Sequence, residues 1–276
     1  MNQEVFAAVA AALERGEAAA LVTIVAAMGS TPQRIGAKML VFGDGRIVGT
    51  IGGGCYENDA FWKAREAITT RRPQMVHYEL SDDFAQETGL ICGGQMDVYI
   101  EPIEPAPELY IVGAGHVGFH LARVAHEVGF VVHVVDDREK FANRERFPHA
   151  AEIVTEDIPT WIERTAIPPH AYVVIVTRGH NNDLDALRAL APRDLRYLGL
   201  IGSRAKVARI YDALVAEAMS ADLLRQVHAP IGIDIGAVTP QEIAVSILAE
   251  LIAVKHGKVK GRDAAELSMR WNNLKT

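Results

Sequence analysis

The sequence predicts an α/β protein: an N-terminal mixed α+β domain, then a Rossmann-like domain built on a doubly wound parallel sheet. Three observations predict it. The string Gly113-Ala-Gly115-His116-Val-Gly118 follows an apolar strand-like run and opens a helical stretch. Beyond it, apolar runs alternate with helical stretches, as in a sheet whose parallel strands are joined by crossover helices. Before it, strand-like runs and helical stretches are joined by turns and glycine loops, as in a mixed α+β domain. The 276 residues suffice for two modest domains.

The elements follow in order. Val5, Val9 and Leu13 recur at helical spacing, and Gly16 is placed to stop that helix. Strands are expected at 20–26, 38–42 and 46–50, the last two joined by the turn Asp44-Gly45. The loop Gly52-Gly53-Gly54-Cys55 precedes a helix over 57–71 with Phe61, Ala64 and Ile68 on one face. Further strands are expected at 75–80 and 95–101; in the second, Met96, Val98 and Ile100 alternate with polar residues. The segment Glu101-Pro-Ile-Glu-Pro-Ala-Pro107 is the best linker and divides the chain into domains 1–104 and 105–276. Strands are then expected at 108–112, 130–135, 151–155, 172–177 and 196–201, with a helix over 116–128. A last helix, 240–256, has Thr239 as N-cap, Pro240 at its first position and Glu242 closing a capping box.

Composition narrows the function classes. The chain is 49% hydrophobic, and 28 basic against 35 acidic residues leave a net charge of −7. With no basic run, nucleic-acid and membrane-surface roles are not expected. The start of the chain lacks the basic, unbroken apolar pattern of a signal peptide, and no apolar run is long enough to span a bilayer. The only cysteines are Cys55 and Cys92, too few for a disulfide framework, so a cytoplasmic setting is expected.

The candidate site residues cluster in glycine-rich strings. In the 113–118 string, Gly113 permits the tight turn, Gly115 lets backbone approach a phosphate and Gly118 lets the helix pack on the strand. The helix start offers free N–H groups to an anion, and His116 lies within the loop. Asp136, at the end of the next strand, stands where an acid holds a ribose hydroxyl in nucleotide-binding domains. This much fits any phosphate ester, NAD(P) among them. In the N-terminal half, three glycine-rich segments imply close backbone approach, and two of them carry Cys55 and Cys92. Two thiols without paired histidines nearby are too few ligands for zinc. Arg34 and Lys38, flanking Gly36, are candidate anion contacts.

Taken together, the strings Gly-Ser-Thr-Pro-Gln-Arg-Ile-Gly-Ala-Lys-Met (29–39), Gly-Gly-Gly-Cys-Tyr-Glu (52–57), Cys-Gly-Gly (92–94) and Gly-Ala-Gly-His-Val-Gly (113–118) form an ordered series. Thr-Arg-Gly-His-Asn-Asn-Asp (177–183), Ile-Gly-Ser-Arg (201–204) and Pro-Ile-Gly-Ile-Asp-Ile-Gly-Ala-Val-Thr-Pro-Gln-Glu-Ile-Ala (230–244) complete it. The series resembles the XdhC/CoxI family of xanthine dehydrogenase accessory factors over nearly the full length. In the first string Gln33 stands between the proline and Arg34, a departure from the family pattern.

The resemblance implies a non-enzymatic maturation factor. Such a protein binds the molybdenum cofactor (molybdopterin), protects it while a cysteine desulfurase supplies its sulfido ligand, and helps insert it into a molybdenum hydroxylase client. It implies Cys55 and Cys92 as candidates for handling molybdenum or sulfur. It also marks Arg178, His180, Asp183, Ser203, Arg204 and Asp234 as cofactor-binding candidates. A homodimer is the default assembly. The rival reading is an NAD(P)-dependent oxidoreductase using the 113–118 loop, although no proton-relay motif such as Tyr-x-x-x-Lys accompanies it.

Overall fold

The computed structural model describes residues 2–79 and 94–258; Cys92 lies outside them. The chain divides into two compact units, Met1–Ala106 and Pro107–Thr276.

In the first unit the strands are β1 (Ala19–Met28), β2 (Lys38–Phe42), β3 (Ile47–Gly49), β4 (Gln74–Glu79) and β5 (Gln95–Ile103). They form an antiparallel sheet in the order β3-β2-β1-β5-β4. Alternation sends successive side chains to opposite faces. One face carries Val22, Ile24, Met39, Val41, Val98 and Ile100 against helix α2 (Gly54–Thr70). That helix turns Ala60, Ala64 and Ala67 inward, and small residues let it sit close on the sheet. The other face packs Leu21, Leu40 and Phe42 against Val5 and Ala12 of helix α1 (Asn2–Glu14).

Several boundaries differ from expectation by one to three residues, and two of the differences have a plain physical reason. Helix α2 begins at Gly54, three residues earlier than the sequence suggests, because glycines at positive φ fold back into it and Glu57 braces its first turn. Strand β5 runs on through Pro102 to Ile103. Pro102 pairs with Ala20 of β1, while β4 reaches only as far as Ile100, so the missing proline N–H faces an unpaired edge.

In the second unit, strands β6 (Glu108–Val112), β7 (Val131–Asp136), β8 (Glu152–Thr155), β9 (Tyr172–Ile175) and β10 (Tyr197–Leu200) are all parallel. Their order is β10-β9-β6-β7-β8, the doubly wound Rossmann arrangement. Its helices are α3 (His116–Glu127), α4 (Ile158–Arg164), α5 (His180–Leu190), α6 (Arg204–Ala216), α7 (Ala221–Gln226) and α8 (Pro240–Lys255). On one face Ile111, Val134 and Val174 meet Leu121 and Ala125 of α3 and Ile247 and Leu251 of α8. On the other, Val112, Val173 and Ile175 meet Trp161, Leu187, Ile210 and Leu214 of α4, α5 and α6. Strands covered on both sides read as unbroken apolar runs. Between β7 and β8 the chain crosses in turns rather than a helix. The capping box at Thr239 and Glu242 forms as expected.

The strand order reverses between β6 and β9, so the loops leaving those strands part at the carboxyl edge of the sheet. In open α/β sheets that crevice is where ligands bind.

Candidate functional site at the carboxyl edge of the parallel sheet

The glycine loop leaves β6 at this edge, and each of its three glycines has a distinct physical reason. Gly113 has φ +119°, and a Cβ there would lie 2.5 Å from the carbonyl oxygen of Val176, just past β9. A Cβ on Gly118 would lie 2.1 Å from the carbonyl oxygen of Gly113, so only glycine lets α3 sit this close to the loop. Gly115 is different: a Cβ would meet nothing within 4 Å. It is the N-cap of α3, offers no side-chain cap, and leaves that helix start open on the loop side. Free N–H groups at a helix start, with no acid in the first turn, favour an anion.

The loop is braced through Ala114. Its N–H donates to Asp136 Oδ2 at 2.7 Å, and its carbonyl accepts from Arg146 Nη1 at 2.9 Å. Asp136, buried at the end of β7, also receives the Arg138 N–H (3.0 Å), Nε (2.7 Å) and Nη2 (2.8 Å). Burial alone would raise its carboxyl, but the Arg138 guanidinium and the Ala114 and Arg138 N–H groups outweigh it and hold the carboxyl below its ordinary value. Both oxygens therefore face internal donors.

The loop after β9 carries Thr177 and Arg178, and α5 starts on Gly179, again without a side-chain cap. His180 opens α5; its side chain lies outside the described residues. Arg178 is largely exposed and stands 3.6 Å from Asp137. Asp183 is fully buried. It accepts from Thr177 Oγ1 at 2.6 Å and is paired with Lys206 Nζ of α6. Burial pushes the Asp183 carboxyl up, against the lowering pull of Lys206 and Thr177. After β10, Ser203 caps α6 by accepting the Lys206 N–H at 3.2 Å, and Arg204 is exposed. His116 and Asp234 are also exposed.

The edge thus combines two helix starts without side-chain caps, on Gly115 and Gly179, with exposed cations at Arg178 and Arg204. Such a set suits a phosphate-bearing ligand. Lys206, Arg138 and Arg146 escape a reading of the sequence. Lys206 alone carries a local signal: a lysine in the first turn of a helix opposes the helix dipole and needs a reason to be there.

The other candidates lie in the first unit. Cys55 is half-buried in the first turn of α2. Glu57, in the same turn, accepts from Thr50 Oγ1 and from the N–H groups of Ile51 (2.9 Å) and Gly53 (3.1 Å). Arg34 is exposed. Lys38 instead turns inward, donating from Nζ to Thr23 Oγ1 at 2.9 Å beside the Phe6 ring. Among the described residues, no three His, Cys, Asp or Glu side chains are arranged to hold a metal ion. Among them also, no helix is long and apolar enough to cross a membrane.

A family profile described as the XdhC Rossmann domain matches residues 109–251, and one described as the XdhC and CoxI family matches residues 12–79. The chain belongs to the XdhC and CoxI family. Escherichia coli YqeB, named as uncharacterized, is 38% identical over 88% of this chain and 44% of YqeB. The chain therefore spans less than half of that relative. A Bacillus subtilis protein, named as one probable component of a xanthine dehydrogenase, is 25% identical over 89% of this chain and 96% of its own. Escherichia coli PaoD, named a molybdenum cofactor insertion chaperone, is 26% identical over 88% of this chain and 86% of its own. A crystal structure described as a xanthine dehydrogenase from Bacillus halodurans shares the fold, with TM-score 0.51, 23% identity and coverage of 96% of this chain and 100% of that one.

Proposed function

We propose that this XdhC/CoxI chain is a non-enzymatic carrier of the molybdenum cofactor, seating the pterin phosphate on the loop between Gly113 and Gly118. The observation that supports it most directly is the asymmetry of the loop. Gly113 and Gly118 are demanded by packing, whereas Gly115 faces open space and leaves the start of α3 free. A family of accessory proteins, with a relative named for cofactor insertion, supplies the cargo such a seat would carry.

In this reading Arg178 and Arg204 add positive charge beside the phosphate, with Ser203 and Asp234 on loops and His116 and His180 at helix starts around it. Asp136 acts as a positioning residue, holding the Ala114 amide and so the shape of the loop. Cys55 or Cys92 handles the molybdenum or its sulfido ligand while a cysteine desulfurase supplies sulfur. The loaded carrier then delivers to a molybdenum hydroxylase.

The test is to purify the chain from a host that makes molybdopterin and extract the pterin as its fluorescent oxidised product. Retention above a control protein, lost in Gly115→Val, supports the reading; no retention overturns it. Alanine at both cysteines separates their role: unchanged retention and unchanged sulfuration of a client would remove it.

The glycine pattern and the acid ending β7 also favour a second reading, NAD(P) binding. Against it stands the engagement of both Asp136 oxygens by Arg138 and Ala114, which leaves no free carboxylate for a ribose diol. Saturable NAD(P)H binding abolished by Gly115→Val, with no pterin retained, would replace the carrier reading by this one.

A further inference from the structure

The opposite, amino-terminal end of the parallel sheet carries a cleft that the carrier function does not use. It lies where β10 begins and has a volume of about 150 Å³. Its polar walls come from Arg193, Arg196, Tyr197, Gln226 and His228, and no aspartate or glutamate lines it. In a chain of net charge −7, an acid-free pocket bearing two guanidinium groups is a local reversal of sign.

The two arginines are unequally engaged. Arg193 holds the end of α4, donating to the carbonyls of Ile162 and Thr165, the latter at 2.7 Å. Arg196 has only a long contact, Nη2 to the Val254 carbonyl at 3.5 Å, and its buried Nε has no acceptor. Among the described residues neither arginine has a carboxylate partner. Arg196 therefore brings to the cleft an incompletely satisfied guanidinium whose charge has no carboxylate beside it among the described residues.

The third wall is a fixed histidine. His228 Nδ1 lies 2.9 Å from Oε1 of the fully buried Glu250 on α8. Glu250 Oε2 also accepts from Tyr197 Oη at 2.7 Å and from the Gly232 N–H at 2.6 Å. These donors meet the Glu250 charge behind the cleft wall. The Glu250 bond assigns the proton to Nδ1 and sets the ring, leaving Nε2 as the other edge of the imidazole.

We infer that this cleft is a second binding site, separate from the Gly113 loop, for a small oxyanion of about the size of inorganic phosphate. Arg196 is its principal contact. The guanidinium offers a planar fork that matches an oxyanion, and a cleft of about 150 Å³ has room for one. The site stands independently of the cofactor-carrier reading, since it involves none of the same residues.

The experiment is calorimetric titration of the full chain with inorganic phosphate at constant ionic strength, with sulfate and succinate as parallel arms. Two variants accompany it, Arg196→Gln and Gly115→Val. Saturable phosphate or sulfate binding that weakens about tenfold or more in Arg196→Gln and persists in Gly115→Val is the expected result. Binding of succinate alone, without phosphate or sulfate, would overturn a phosphate-sized oxyanion site. Binding lost in Gly115→Val and retained in Arg196→Gln would overturn the second site, as would no binding at millimolar anion. Wild-type crystals soaked in selenate give a measurement that needs no variant. A selenium peak beside Arg196 supports the site, and its absence overturns it.

Discussion

Asp136 accepts the amide proton of Ala114 at 2.7 Å, joining the end of β7 to the middle of the glycine loop across 22 residues of sequence. The same carboxylate receives three donors from Arg138. It therefore fixes the loop from inside the protein rather than from the ligand side.

Asp136→Ala leaves Arg138 only its longer 3.6 Å ion pair with Asp137 and leaves the Ala114 N–H without its acceptor, and the expected loss is about 1–3 kcal/mol in denaturant titration. Because the folded carboxyl titrates below its ordinary value, its contribution is present above about pH 4. That contribution is lost as pH falls through the lower folded value. Stability against pH should show an acid limb that Asp136→Asn flattens; an unchanged limb in the variant would count against this role.

The glycines of the loop should separate by substitution. Gly118→Ala drives a Cβ into the Gly113 carbonyl, backbone against backbone, and is expected to destabilise the second unit by several kcal/mol, about the upper range for point changes. Gly115→Val adds its side chain to open space at an N-cap and should cost about 1 kcal/mol or less. The same change should abolish retention of the pterin. Thermal melts beside pterin extraction read both; equal destabilisation by the two variants would refute the division of labour.

How much of this was legible in sequence depends on the range of the contact. The strand before Gly113, the turn, the helix after it and the capping box at Thr239 are local patterns, and they form where their residues indicate. Asp136 was legible by its place at the end of a strand, but not the direction of its bonds, since Arg138 turns back on it only in the folded chain. Arg146 reaches Ala114 across 32 residues, and His228 reaches Glu250 across 22. Nothing in the neighbourhood of either arginine or histidine announces those partners. The extension of β5 through Pro102 was hidden for the same reason: whether a proline is tolerated depends on where the neighbouring strand stops.

Asp183 and Lys206 should behave as a unit. Removing the carboxylate alone, as in Asp183→Ala, leaves an ammonium without its partner and should cost about 3 kcal/mol. Asp183→Asn with Lys206→Met should recover much of that, since a buried pair replaced by apolar or neutral groups is often nearly neutral. The pH dependence has the opposite sign to that of Asp136. Burial raises the folded Asp183 carboxyl, so its stabilising contribution is present below about pH 4 and lost as pH rises through the folded value. The stability of the wild type relative to Asp183→Asn should therefore decline with rising pH over that window. A double-mutant cycle showing additive effects would remove the pair as a unit.

Glu57 offers the corresponding test in the first unit. One carboxylate oxygen gathers the Thr50 hydroxyl and the N–H groups of Ile51 and Gly53, bracing the glycine run that leads into Cys55. Burial would raise this carboxyl, but those donors outweigh it and hold it below the ordinary glutamate value. Its contribution should thus be present above about pH 4.3 and lost in more acid solution. Glu57→Ala leaves the donors without their acceptor and should cost about 1–3 kcal/mol. If the brace also sets the position of Cys55, iodoacetamide should alkylate that thiol faster in the variant than in the wild type, read by mass spectrometry of the peptide. Equal alkylation rates with a full loss of stability would confine Glu57 to holding the loop and separate it from the cysteine.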